Sequence, residues 1–179
     1  VIEKGVTAMA NTELNNSIGV HTLSAYVANK PGVLARVAQV FSRRGFNIDS
    51  LVVSSSIDGD FSRMTITATG NPDMLDQVIR QVNKLVDVIH CFDHTGQDVV
   101  VRELALIKIG VTAEERTEAL QVAEHFAAKT LDLTENSMII MCTGRSSKLD
   151  ALTGLLKKYK IIELVRTGKV VMARGDDPT

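Results

Sequence analysis

Residues 21–45 read HTLSAYVANKPGVLARVAQVFSRRG, and this run decides the fold. Its first third alternates. Leu23, Ala25 and Val27 point one way and Thr22, Ser24 and Tyr26 the other, the period-two signature of a half-buried strand. From Val33 to Arg44 the period becomes helical, with Leu34, Val37, Ala38 and Phe41 on one face. Gly45 stands where a glycine ends a helix, behind Arg43 and Arg44, whose charges suit the helix's negative pole. Asn29-Lys30-Pro31-Gly32-Val33-Leu34 makes the turn between the two elements.

Downstream, the same reading continues. Asn47–Ser55 (NIDSLVVSS) is a strand whose apolar positions, Ile48, Leu51, Val52 and Val53, break strict alternation, which implies a bulge or burial on both faces. Asp58-Gly59 signals a hairpin. Arg63–Thr69 alternates, with Met64, Ile66 and Ala68 inward and Thr65, Thr67 and Thr69 outward. Asn71-Pro72-Asp73 opens a helix with the stripe Leu75, Val78, Ile79, Val82 and Leu85, and Val86–Asp93 is a fourth strand. The order βαββαβ is the ferredoxin-like arrangement.

Polar, glycine-containing His94–Asp98 marks a linker, after which the order repeats. Leu104–Ile109 is a strand, and Thr112-x-x-Glu115 is a capping box for a helix with the stripe Ala119, Val122, Ala123, Phe126 and Ala127. Leu131–Thr134 and Met138–Thr143 are strands. Ser147-x-x-Asp150 reads as the cap of a last helix with the stripe Leu149, Leu152, Leu156 and Tyr159. Ile161–Arg166 and Lys169–Ala173 are expected to pair across Thr167-Gly168. The fold class is α+β: two ferredoxin-like βαββαβ units in tandem, at 21–95 and 96–179, behind a polar N-terminal extension, 1–20, expected to be mobile.

Composition narrows the function. The chain has 179 residues, 45% apolar and 23% charged, with 20 basic and 21 acidic side chains and a net charge of −1. That leaves no overall field for nucleic acid or an anionic membrane. With no Trp and only 4% aromatic residues, base-stacking platforms are not expected. Cys91 and Cys142 fall on strands of different halves and outside any CxxC pair, which reads as buried, reduced thiols of a reducing compartment. No apolar run approaches the ~20 residues of a membrane span, and residues 1–20 lack a signal or transit pattern. A cytoplasmic location is expected, or the plastid stroma were the source a plant or alga. Val1 is not an initiator, and Met9 is one candidate start.

Two readings of the Asn29–Leu34 corner stand. It can be an ordinary helix start, with Asn29 capping and Pro31 in the first turn. It can also be an anion site, because a helix N-terminus offers unpaired N–H groups and a positive pole, and Gly32 keeps no Cβ in a ligand's way. The corner holds no nucleophile, general base or metal ligand, so as a site it would sense and not catalyse. On a strand, His90, Phe92 and His94 of His90-Cys91-Phe92-Asp93-His94 share one face, leaving too few convergent ligands for a metal. Gly144-Arg145-Ser146-Ser147-Lys148 lacks the second glycine of a phosphate loop and reads as a helix start. No helix-turn-helix or basic arm supports a transcription regulator, and no convergent acid, base or nucleophile supports an enzyme.

Asn29–Leu34, followed in register by Phe41-Ser42-Arg43-Arg44-Gly45-Phe46-Asn47-Ile48-Asp49-Ser50-Leu51, closely resembles the amino-terminal ACT domain of acetolactate (acetohydroxyacid) synthase small subunits. Ser62–Ile66, Asn83–Val88, Arg102–Lys108 and Arg166-Thr167-Gly168 extend the resemblance over about residues 21–175. It implies a non-catalytic regulatory subunit. Such a subunit binds the catalytic large subunit, which carries thiamine diphosphate, Mg²⁺ and FAD, activates it, and confers feedback inhibition by a branched-chain amino acid, usually valine. It implies no cofactor on this chain and a homodimer in which ACT domains pair side by side with the effector at their interface. Carried over by position, Asn29, Gly32, Val33 and Leu34 form the corner, and Asn47 and Ile48 close the pocket. The amides of Gly32, Val33 and Leu34 would hold the carboxylate, and Leu34 and Ile48 the aliphatic side chain. Pro31 departs from the polar or small residue of many members and removes one backbone donor.

Overall fold

The corner joins β1 (Gly19–Ala28) to α1 (Val33–Arg43), and the chain continues through β2 (Asn47–Ser55), β3 (Phe61–Gly70), α2 (Pro72–Val82) and β4 (Val88–Asp93). The computed structural model describes residues 19–176 and Thr179. Most of the expected N-terminal extension, residues 1–18, therefore lies outside the described residues. The second half runs β5 (Val100–Gly110), α3 (Arg116–His125), β6 (Lys129–Leu133), β7 (Ser137–Gly144), α4 (Ser146–Leu156), β8 (Lys160–Arg166) and β9 (Val170–Met172). The sheets have strand orders β2-β3-β1-β4 and β6-β7-β5-β8, all pairs antiparallel. The fold is α+β with two βαββαβ units.

Local chemistry sets the element ends. Gly45 takes φ 73°, and its N–H and that of Phe46 close on the Ser42 and Phe41 carbonyls at 3.2 and 3.1 Å. That is the left-handed stop a glycine supplies without Cβ strain. Asp73 N–H donates to Asn71 Oδ1 at 2.9 Å, capping α2. Thr112 N–H donates to Glu115 Oε2 at 2.9 Å and Glu115 N–H to Thr112 Oγ at 3.3 Å, the reciprocal box expected before α3. The expected irregularity of β2 is a register shift between Ile48 and Ser50.

One core joins Leu23, Ala25, Val27, Met64, Ile66 and Ala68 of the first sheet to the inner faces of α1 and α2; Ala105, Ile107, Ile109, Ile140 and Leu152 belong to the other. Each large side chain so buried contributes about 1.5–3 kcal/mol.

Several expectations need correction. The buried stripe of α1 is Val33, Val37, Val40 and Phe41. Leu34, one ~100° helical step from Val33, is 41% exposed. Leu85 lies beyond the end of α2, and Val86 is exposed outside β4. Ala127 takes φ 47° as the stop of α3 and is exposed, so it leaves the helix stripe. Thr22, Ser24, Thr65 and Thr67, expected on an open face, are buried. The linker and the C-terminal segment lie against that side: Ser24 Oγ meets His94 Nε2 at 2.7 Å, Thr22 N–H donates to Thr95 Oγ at 3.0 Å, and the Arg63 guanidinium donates to the Thr179 carbonyl.

Ser147 and Asp150 make no capping box. α4 begins at Ser146 with no side-chain cap, because Ser146 Oγ donates to Glu103 at 2.8 Å and Asp150 pairs with Arg166 at 2.6 Å. Nor does β9 pair with β8 across Thr167-Gly168. β8 and β9 follow one another along β5, β9 meeting Val100–Arg102.

Candidate functional site

Gly32 caps α1 with φ 84°, no side chain caps the helix, and no acidic residue stands in its first turn. Gly32 O accepts from Arg36 N–H at 3.1 Å, and Val33 N–H reaches Lys30 O at 3.4 Å. Among the described residues the N–H groups of Gly32, Leu34 and Ala35 meet no backbone acceptor. The positive pole is therefore uncompensated and its donors are free for an anion.

Asn29 is held in place: its N–H donates to Asp60 O at 2.8 Å and its Nδ2 to Gly59 O at 2.9 Å. That bond turns Oδ1 of Asn29 into the available acceptor. Sequence reading missed Arg36, whose guanidinium nitrogen stands 3.5 Å from where a Gly32 Cβ would be, and which pairs with Asp87. The signal was the i+4 spacing from Gly32.

Asn47 opens β2 and is exposed, while Ile48 is half-buried against the first core. Asn47 Nδ2 donates to Asp49 Oδ1 at 2.7 Å, and Thr69 Oγ donates to Asp49 Oδ2. With its NH₂ engaged, Asn47 presents its carbonyl oxygen, an acceptor suited to an ammonium group. Asp49 was not picked out from sequence: it falls at the register shift of β2, where regular strand alternation gives no guide to its side.

The two halves of the expected site do not meet within one protomer. Ala28, just before the corner, lies opposite Phe61 on β3, whereas Asn47 lies opposite Thr69. The intervening strand makes that roughly 26 Å at about 3.3 Å per residue.

The other constellations are structural. Cys91 is buried, and burial, with Asp93 adding to it, pushes its thiol up to about 12. His90 stacks between Tyr26 and Phe92 at 5.5 and 4.9 Å, while His94 bonds Ser24 and Gln97. Among the described residues no group of three His, Cys, Asp or Glu side chains could hold a metal. Lys148 of the Gly144–Lys148 turn donates to Thr143 O at 3.1 Å. Arg166 grips Glu103 through Nε and Nη at 2.7 and 2.9 Å. That grip holds the Glu103 carboxyl below its ordinary range against the opposing effect of burial. Among the described residues no helix is long and apolar enough to cross a membrane.

Two ferredoxin-like βαββαβ units in tandem, the first of them of the ACT type, define the architectural class. Residues 23–90 match the family model described as an AHAS small subunit-like ACT domain, and residues 102–175 the one described as the small subunit of acetolactate synthase. The chain is 46% identical to the probable acetolactate synthase small subunit of Archaeoglobus fulgidus, over 87% of this chain and 98% of that one. It is 43% identical to the acetolactate synthase small subunit of Mycolicibacterium smegmatis, over 90% and 95%. The crystal structure of the Thermotoga maritima small subunit superposes with a TM-score of 0.80 at 38% identity, covering 89% of this chain and all of that one. The chain belongs to the acetolactate synthase small-subunit family. It is a regulatory, non-catalytic subunit, and its partner is the synthase's large subunit.

Proposed function

We propose that the chain binds a branched-chain amino acid, valine by preference, between the ACT domains of a homodimer, activates the large subunit and imposes feedback inhibition on it. One observation carries this reading: the free N–H groups at the Gly32 corner and the ammonium-type acceptor at Asn47 are complementary to the two ends of an α-amino acid, yet lie at opposite ends of one sheet.

A two-fold axis resolves the separation. β2 is an edge strand with one side unpaired, and open edges accept a further strand. Antiparallel pairing of β2 with its copy brings Asn47 of one protomer to the end of the sheet where its partner's corner sits. The carboxylate then docks on the Gly32 and Leu34 amides beside Arg36, and the ammonium on Asn47 Oδ1. Leu34, exposed on α1, and the open part of Ile48 line the aliphatic end. Pro31 removes one donor but fixes φ ahead of Gly32.

Residues 21–95 form the effector-binding domain in this reading and 96–179 a second ferredoxin-like domain. Thiamine diphosphate, Mg²⁺ and FAD reside on the large subunit, nucleic acid and membrane take no part, and the assembly works in the cytoplasm or a plastid stroma. Feedback requires only that the effector favour one arrangement of the assembly, at about 1–3 kcal/mol of coupling.

The test is to reconstitute the chain with its large subunit and titrate valine, leucine and isoleucine while following acetolactate formation. Activation by the chain and inhibition by valine at the lowest concentration support the reading. Activation with no response to any of the three amino acids contradicts it.

A further inference from the structure

Behind Asn47 the first sheet meets the second unit. Gly168 is buried at φ 86°, and a Cβ on it would lie 2.5 Å from Ser50 Cβ and Oγ. Backbone and side chain therefore touch with no room to spare. Beside this contact is a cleft of about 260 Å³ with Asp49 and Thr67 on one wall and Arg166 and Lys169 on the other.

The charges on those walls are unevenly used. Arg166 is spent on Glu103 and Asp150. Lys169 forms no ion pair among the described residues, and Asp49 meets no cation there. Asp49 instead accepts from Asn47 and Thr69.

We infer that Asp49 is a positioning residue shared by two competitors: Asn47, which it orients toward the effector, and Lys169, through which the second unit draws it away. The inference rests on the proposed effector site, since only there does the orientation of Asn47 matter. Asp49 divides its two oxygens between Asn47 and Thr69, and an ammonium swung across the cleft offers the oxygen that holds Asn47 a charge-assisted bond that a neutral amide cannot match. With Lys169 on Asp49, Asn47 loses the bond that aims its carbonyl oxygen. With effector on Asn47, Asp49 is committed and Lys169 is released. Linkage makes this reciprocal: whatever state of the second unit frees Lys169 tightens effector binding, and effector frees Lys169 in turn. The packing of Gly168 on Ser50 keeps the neighbouring Lys169 on the wall of the cleft that Asp49 shares.

The test uses the full-length chain. Calorimetry of Lys169→Met should show valine bound more tightly, by roughly two- to fivefold, the size expected of a half-exposed ion pair. Asp49→Asn should weaken binding, and Lys169→Met added to Asp49→Asn should change nothing further. The Asn47 side-chain amide resonance, followed by NMR without effector, should shift in Lys169→Met and not when Asp49→Asn is already present. A wild-type chain that binds no branched-chain amino acid overturns the effector site, and the Asn47 resonance then still decides the Asp49–Lys169 link. Lys169→Met with wild-type affinity and an unmoved Asn47 resonance overturns the link. An equal Lys169→Met effect in the Asp49→Asn background overturns it as well.

Discussion

Gly32→Asp places a carboxylate where the effector's own carboxylate is proposed to dock. Gly32 sits at φ 84°, and among the described residues beyond its chain neighbours an added Cβ would meet only an Arg36 nitrogen, at 3.5 Å. The fold therefore has space for the side chain and must bear only the left-handed backbone, about 1 kcal/mol for a residue such as Asp. Against that cost, an Asp at the helix cap accepts from the free amides of the first turn, which is worth about 1 kcal/mol. Net stability should change by less than about 1 kcal/mol. Effector binding should suffer far more. The new carboxylate occupies the same N–H groups and repels the incoming anion, and losing even one charge-assisted hydrogen bond costs about 1.5–3 kcal/mol, roughly 10- to 150-fold in affinity. Gly32→Ala carries the backbone strain without the charge and is the control. The assay is valine inhibition of the reconstituted synthase, with urea denaturation of the isolated chain alongside. An inhibition midpoint unchanged in Gly32→Asp, with the fold intact, refutes the corner as the carboxylate site. An equal loss in Gly32→Ala refutes the electrostatic explanation.

Glu103→Gln should cost about 2 kcal/mol at pH 7, less than a fully buried pair because Arg166 still reaches solvent. The folded carboxyl is held below its unfolded value of about 4.3, so its stabilisation is complete above that pH and is lost as pH falls through the folded value. The gap between wild type and variant in urea denaturation should therefore narrow as pH falls below the ordinary carboxylate range, and a gap that widens on acidification contradicts the sign. Cys91, pushed up to about 12, should be thiolate to roughly one part in ten thousand at pH 8, so native protein should resist alkylation until it unfolds. Rapid labelling of Cys91 in the native chain counts against its burial. Gly70→Ala should destabilise by about 2–3 kcal/mol, because the added methyl lies 2.4 Å from the Phe46 ring; a loss under about 1 kcal/mol would mean Phe46 has room to move.

Much of the fold was legible because its signals are local. The ends of β2, the Gly45 stop, the Asn71 cap and the Thr112–Glu115 box are each decided within a few residues. What sequence misread was decided by distant partners. Ser147-x-x-Asp150 has the spacing of a capping box, but Arg166, sixteen residues from Asp150, takes that carboxylate. β9 follows a turn of hairpin appearance, yet its free partner is the start of β5. Thr22, Ser24, Thr65 and Thr67 look like a solvent face but are buried, with the His94–Thr95 linker and the C-terminal Thr179 bonded on that side. At the candidate site, the corner could be read because proline, glycine and a helix start adjoin in sequence. Its distance from Asn47 could not, since that depends on the register of β1 and β2 against β3. Arg36 and Asp49 became visible only as neighbours in space.

The pocket proposed here is built from the corner of one protomer and Asn47 of its partner, and mixed dimers test that sharing directly. Gly32→Asp chains alone and Asn47→Ala chains alone should each bind valine poorly, since every site in either homodimer carries one defect. A heterodimer of the two, isolated through different affinity tags, gathers both defects into one site and leaves the other intact. Calorimetry should then find tight valine binding restored at half the wild-type number of sites per chain. Mixed dimers that bind no better than either parent would contradict a pocket shared across the interface.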